Sequence, residues 1–278
     1  MRRITHATLL AAALGLTPLT GFGQSFEAGF EAHNRGDYQV ALKHFLPLAE
    51  QGDIASQVGM GIMYANGQGV VQNYQEAAAW YRRAAEQGDA GAQYTLGIMY
   101  ANGEGVPQND QEAAAWFRRA AQQGDTRAQF NLGIMYANGR GVAQNYREAA
   151  AWYRRAAEQG DADAQVNLGI MYANGRGVAQ NYREAAAWYR RAAEQGDANA
   201  QVNLGAMYSI GQGVSPNPVI AYVLETLATA QGHEMARHSR DLTLRELSSN
   251  QVNEGQRLAS EWRVGTPLPT SRDVTTWP

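Results

Sequence analysis

Apolar and polar positions along this chain follow a helical rhythm that restarts at a fixed interval. In the segment Asp125 to Gly160, at about 100° per residue, Ala128, Leu132, Met135 and Tyr136 share one face of a helix, and Arg127, Phe130, Asn131, Ile134 and Asn138 share another. The first face predicts a buried stripe. Asp125 is placed to cap this helix, and Gly139 to stop it by taking the left-handed position after the last turn. A second helix is predicted from Asn145, with Glu148 completing a capping-box pattern. Its apolar arc holds Tyr146, Ala149, Trp152, Tyr153, Ala156 and Ala157, while Arg147, Arg154, Arg155 and Glu158 lie opposite.

The same punctuation recurs along the chain. Gly52, Gly88, Gly124, Gly160 and Gly196 are each followed by aspartate, Gly232 continues the comb with His233, and the period is 36 residues. Asn131–Ala162 returns letter for letter as Asn167–Ala198. A fixed period in this range marks a repeat array, whose units each leave an apolar face that only a stacked neighbour can bury. The expected division is a leader over 1–23, a helix pair over 26–52, and repeats over 53–88, 89–124, 125–160, 161–196 and 197–232. Capping helices follow over 233–262, read as His233 to Leu247 and Ser248 to Trp262, and then a disordered, proline- and threonine-rich tail over 263–278.

The leader has Arg2 and Arg3 ahead of an apolar run and then small residues at Gly21 and Gly23, the layout of a cleaved secretory signal. The expected destination is the periplasm or the exterior, with no membrane segment after cleavage. Removing 1–23 moves the formal charge from −3 to −5, which disfavours nucleic acid as a partner because phosphate binding needs clustered cations. The absence of cysteine excludes disulfides and thiolate chemistry.

With Ala-Gln-x-x-Leu-Gly-x-Met-Tyr, the Gly-x-Gly-Val loop and Ala-x-x-Trp-(Tyr/Phe)-Arg-Arg-Ala-Ala-x-Gln-Gly-Asp in view, the chain resembles the Sel1-like repeat family, relatives of the tetratricopeptide repeats, over about Phe26 to Trp262. The 26–52 pair is then tetratricopeptide-like. The resemblance implies an all-α, right-handed α-solenoid of stacked antiparallel helix pairs that acts as an adaptor or regulator, and exported relatives include proteins that contact sensor kinases or host proteins. It also implies that the first helix of each unit lines a concave groove. Carried onto this chain, the partner-binding positions are Tyr94, Ile98 and Asn102; Arg127, Phe130, Ile134 and Asn138; Asp163, Val166, Ile170 and Asn174; and Asn199 and Val202, with Ala206 after them. The series Ala55, Gly91, Arg127, Asp163, Asn199 and Val58, Tyr94, Phe130, Val166, Val202 vary while the core letters hold, so specificity is expected there.

Catalytic chemistry finds little purchase. His233 and His238 are five apart where a metal-binding helical face needs four, and His33 and His44 fall on separate helices, so no metal or cofactor site is expected. The glycine loops follow helices, not strands, and lack the lysine of a phosphate loop; they read as turns and caps. Some Sel1-like proteins are associated with β-lactam binding, but this chain has neither Ser-x-x-Lys nor Gly-x-Ser-x-Gly. Paired arginines (82–83, 118–119, 154–155, 190–191) read as a solvated face, with an anionic wall polymer as the alternative ligand, and Trp80, Trp116, Trp152 and Trp188 read as core. The sequence therefore predicts a non-enzymatic, envelope-located binder of a protein or peptide, with a wall-associated scaffold or a β-lactam hydrolase as alternatives.

Overall fold

A computed structural model describes residues 22–274, which contain fourteen α-helices and no strand. Residues 1–21 of the expected export signal, and 275–278, lie outside the described residues. The chain divides into two compact units, Met1–Gln144 and Asn145–Pro278.

The first unit holds α1 (Phe22–Arg35), α2 (Tyr38–Glu50), α3 (Ile54–Asn66), α4 (Tyr74–Glu86), α5 (Ala90–Asn102), α6 (Asp110–Gln122) and α7 (Thr126–Asn138). The second holds α8 (Tyr146–Glu158), α9 (Ala162–Asn174), α10 (Tyr182–Glu194), α11 (Ala198–Ile210), α12 (Pro218–Ala230), α13 (Glu234–Thr243) and α14 (Ser249–Glu261). Within each unit the helices from α1 to α13 pack on their sequence neighbours, so helix pairs follow one another in series, and α14 packs back on α12.

Local chemistry sets the boundaries. Asp53, Asp89, Asp125, Asp161 and Asp197 each accept a hydrogen bond from the backbone N–H three residues on, at 2.6–2.9 Å, which satisfies one orphan donor of the first turn. Asn73, Asn109, Asn145 and Asn181 cap the second helices by accepting from two N–H groups each. The reciprocal bond expected from Glu148 is not made; the asparagine alone satisfies this end. The first helices stop at Gly67, Gly103, Gly139, Gly175 and Gly211, whose φ values of 65–74° suit glycine.

The core lies between the pairs. Leu96, Leu132, Leu168 and Leu204 have no exposed surface, and alanines such as Ala77, Ala113, Ala149 and Ala185 let the second helices approach closely. The four repeat tryptophans are 7–8% exposed, as a core role requires.

The C-terminal part departs from expectation. His233 replaces aspartate as the cap of α13, its Nδ1 accepting from the Ala236 N–H at 3.3 Å. The segment after α14, expected to be disordered, is anchored to the helices at Leu268 and Val274. Gly265 N–H donates to Glu194 O at 2.7 Å, Leu268 N–H donates to Glu194 Oε1 at 3.2 Å, and Leu268 is 3% exposed within the α10–α12 core. Its prolines and threonines suggested disorder, but burial of Leu268 and a turn closed by Thr270 and Asp273 supply the ordering energy.

Candidate functional site

The predicted partner-binding residues differ in exposure. Tyr94, Ile98, Arg127, Phe130, Ile134, Ile170 and Val202 are half-buried, and Asn102, Asn138, Asp163, Asn174 and Asn199 are exposed. Val166 is the correction: at 8% exposure it belongs to the core of the second unit, as Val58 does in the first. The short side chain of Val166 is covered by its neighbours in that core, whereas the longer Tyr94 at the same register stays half-buried, as does Val202 near the C-terminal end of the array.

In the first unit three of them, Tyr94, Ile98 and Arg127, line a cleft of about 320 Å³ between α3, α4, α5 and the start of α7, whereas Asn102, Phe130, Ile134 and Asn138 do not. Its walls are Tyr74, Tyr81, Tyr94 and Ile98, with Glu104 and Arg127 among its lining residues. Tyr94 packs on Phe117, ring centroids 5.8 Å apart, and the Arg127 guanidinium lies 4.2 Å from the centre of the Tyr94 ring. Arg127 also donates from Nη2 to Asp125 Oδ2 at 2.7 Å. Burial, above all, raises the Tyr94 phenol, with the nearby Arg127 opposing; burial alone raises Tyr81. Both rings are therefore neutral hydrogen-bonding aromatics over the physiological range. Tyr74, Tyr81 and Glu104 were not among the predicted positions. The readable signal was at 104, where the loop carries glutamate and the next two loops carry Arg140 and Arg176.

The predicted residues of the second unit, Asp163, Val166, Ile170, Asn174, Asn199 and Val202, do not line this cleft. There Asn199 Oδ1 meets His233 Nε2 at 3.2 Å.

The arginine pairs divide their labour. Arg82, Arg118, Arg154 and Arg190 are half-buried and each donates to the hydroxyl of the tyrosine eighteen residues on, Tyr100, Tyr136, Tyr172 and Tyr208. Arg83, Arg119, Arg155 and Arg191 are exposed and lie 4.3–4.5 Å from the ring centres of Trp80, Trp116, Trp152 and Trp188. The expectation of one solvated face holds for the second member of each pair only; the first ties a helix to the next.

The family model for the Sel1 repeat matches six consecutive segments, 25–53, 54–89, 90–125, 126–161, 162–197 and 198–233. The chain belongs to the Sel1 repeat family. Among solved structures, the Sel1 repeat protein from Oxalobacter formigenes is similar at 36% identity over 74% of this chain and 84% of that one, with a TM-score of 0.71. A second Sel1-type structure, c5321, a protective antigen present in uropathogenic Escherichia coli strains, is similar at 33% identity over 93% of this chain, with a TM-score of 0.78. This chain spans 56% of the length of that antigen. No curated protein matches the sequence. Sel1 repeat proteins generally serve as protein-interaction adaptors, and this chain shares their all-α helix-pair architecture. Among the described residues no helix is long and apolar enough to cross a membrane.

Proposed function

We propose that this Sel1 repeat protein is a non-catalytic adaptor of the cell envelope that holds a protein or peptide along the open face of its first helices. The observation that carries the reading is the α3–α5–α7 cleft, where Tyr94 and Arg127, from the two variable series, and Ile98, from the same helix face, line one concavity with an apolar interior and polar rims. Binding sites of this kind supply contact area from aromatics and orientation from a few polar groups. The basic start and apolar run of residues 1–23 support export, and a protective antigen among the relatives agrees with it.

The test is in-cell crosslinking from a photoreactive residue at position 98 or 134, with position 119 as control. Arg119 is exposed on the other side of the helix pair, whereas Arg118 and Arg154 are engaged with tyrosines and make poor controls. One discrete protein captured from 98 and 134 and not from 119, identified by mass spectrometry, is the expected result. Capture of nothing, or of the same material from all three positions, would overturn the adaptor reading.

A further inference from the structure

We infer that the first-unit cleft receives a basic side chain, arginine or lysine, from an extended segment of the bound protein, with Tyr74 as the stacking face and Glu104 as the counter-charge. This rests on the adaptor reading above. The repeats themselves provide the comparison. At each loop the second glycine lies so close to the start of the preceding second helix that an added Cβ would meet backbone: Gly105 against Tyr74 O at 2.0 Å, Gly141 against Asp110 O at 1.9 Å, Gly177 against Tyr146 O at 2.1 Å. The residue just before that glycine is therefore held beside the first residue of that helix in every case.

Two of these places are filled by the chain's own arginines. Arg140 Nη2 donates to Asp110 Oδ1 at 2.7 Å, and the Arg176 guanidinium lies 5.8 Å from the centre of the Tyr146 ring. At the corresponding place in the first unit the aromatic is kept, as Tyr74, while the arginine is replaced by Glu104. Tyr74 is 43% exposed, and its hydroxyl accepts from Gln72 Nε2 at 3.0 Å, which fixes the ring. Glu104 ion-pairs with no cation among the described residues; its Oε1 accepts from Asn102 Nδ2 at 3.2 Å. The other charge at the cleft, Arg127, is already compensated by Asp125 at 2.7 Å and lies against Tyr94.

The result is an aromatic wall and an uncompensated carboxylate around an apolar interior. A cation on a long methylene stem matches all three: the stem lies along Ile98 and Tyr81, the head stacks on Tyr74 as Arg176 stacks on Tyr146, and Glu104 neutralises it. An acidic or purely apolar anchor would leave Glu104 desolvated and unpaired.

The test uses the isotope-labelled full chain titrated with acetyl-Gly-Arg-Gly-amide and with the same peptide carrying citrulline, followed by NMR at the backbone amides of 74 and 103–106. The arginine peptide is expected to give saturable shifts confined to those amides, with the neutral citrulline peptide binding at least about fivefold more weakly, the scale of one exposed cation–aromatic contact plus one exposed ion pair. Glu104→Gln should weaken the arginine peptide about fivefold. Glu104→Arg should abolish binding, and it installs a residue the chain already carries at 140 and 176, so the fold tolerates it. Absence of saturable shifts, equal binding of the citrulline peptide, or unchanged binding by Glu104→Arg would overturn the inference. Crosslinking from position 98 separates the two levels: peptide failure with discrete capture retained rejects the basic anchor alone, and loss of capture rejects the adaptor reading itself.

Discussion

Glu225 is a charged residue in an apolar place. It sits on α12 at 2% exposure, and its Oε2 makes no hydrogen bond to the protein. Burial pushes its carboxyl up to about 7, opposed by a hydrogen bond with Thr243 and the charge of Arg240 and reinforced by Glu246. Because the folded-state value lies above the unfolded one, the folded form holds the proton more tightly, and stability is greatest below the ordinary glutamate range. It falls as pH rises towards 7, by about 3 kcal/mol. Glu225→Gln should flatten that dependence, so urea unfolding midpoints of wild type and variant, measured between pH 4.5 and 8, should diverge as pH rises. Equal pH slopes would contradict the assignment. Nothing in the repeat pattern announced this group, since the second helix of its unit is the one that departs from the others in sequence.

At the scale of elements, a buried glutamine joins each helix pair to the one before it. Gln93 Nε2 donates to Ala85 O at 3.0 Å, completing the end of α4, and its Oε1 accepts from Gln123 Nε2 at 2.8 Å. Gln57 and Gln87, and in the second unit Gln165 and Gln195, and Gln201 and Gln231, repeat the arrangement. Gln93→Leu keeps the volume and removes both bonds, stranding a helix-end carbonyl and an amide. It should therefore destabilise the chain by about 2 kcal/mol in urea unfolding while far-ultraviolet circular dichroism stays that of the native helices. The repeat helices themselves were legible because their caps are local: aspartate or asparagine before each of α3 to α12, glycine after each first one. The glutamine joints, the Arg118–Tyr136 type of tie and the seating of Gly105 were not, because each pairs side chains or backbone many residues apart across a packed interface that periodicity alone does not specify. Tail packing was missed for the same reason, since Leu268 is ordered by α10–α12 and not by its neighbours in sequence. The candidate site was half legible. Variable positions picked out Tyr94 and Arg127 and the helix face picked out Ile98, yet Val166 was misplaced because its short side chain is covered within the core of its unit.

For the molecule as a whole, the repeat logic makes stability a sum of unit and neighbour terms. Removing residues 131–166 joins Phe130 to Asn167 and leaves every remaining unit with a neighbour of the kind it had, because Asn131–Ala162 and Asn167–Ala198 are identical. The shortened chain should retain the same helicity per residue and melt at a lower temperature; a collapse of helicity would show that the units do not stand as interchangeable modules. The glycine against the preceding helix start is what makes such a cut tolerable. Any copy of the period brings its own hinge pin and its own socket, so a duplicated stretch of coding sequence arrives with its fit to both neighbours already worked out. A change in copy number then alters the length of the array without requiring a new interface, and the identical stretches Asn131–Ala162 and Asn167–Ala198 are interchangeable in this sense.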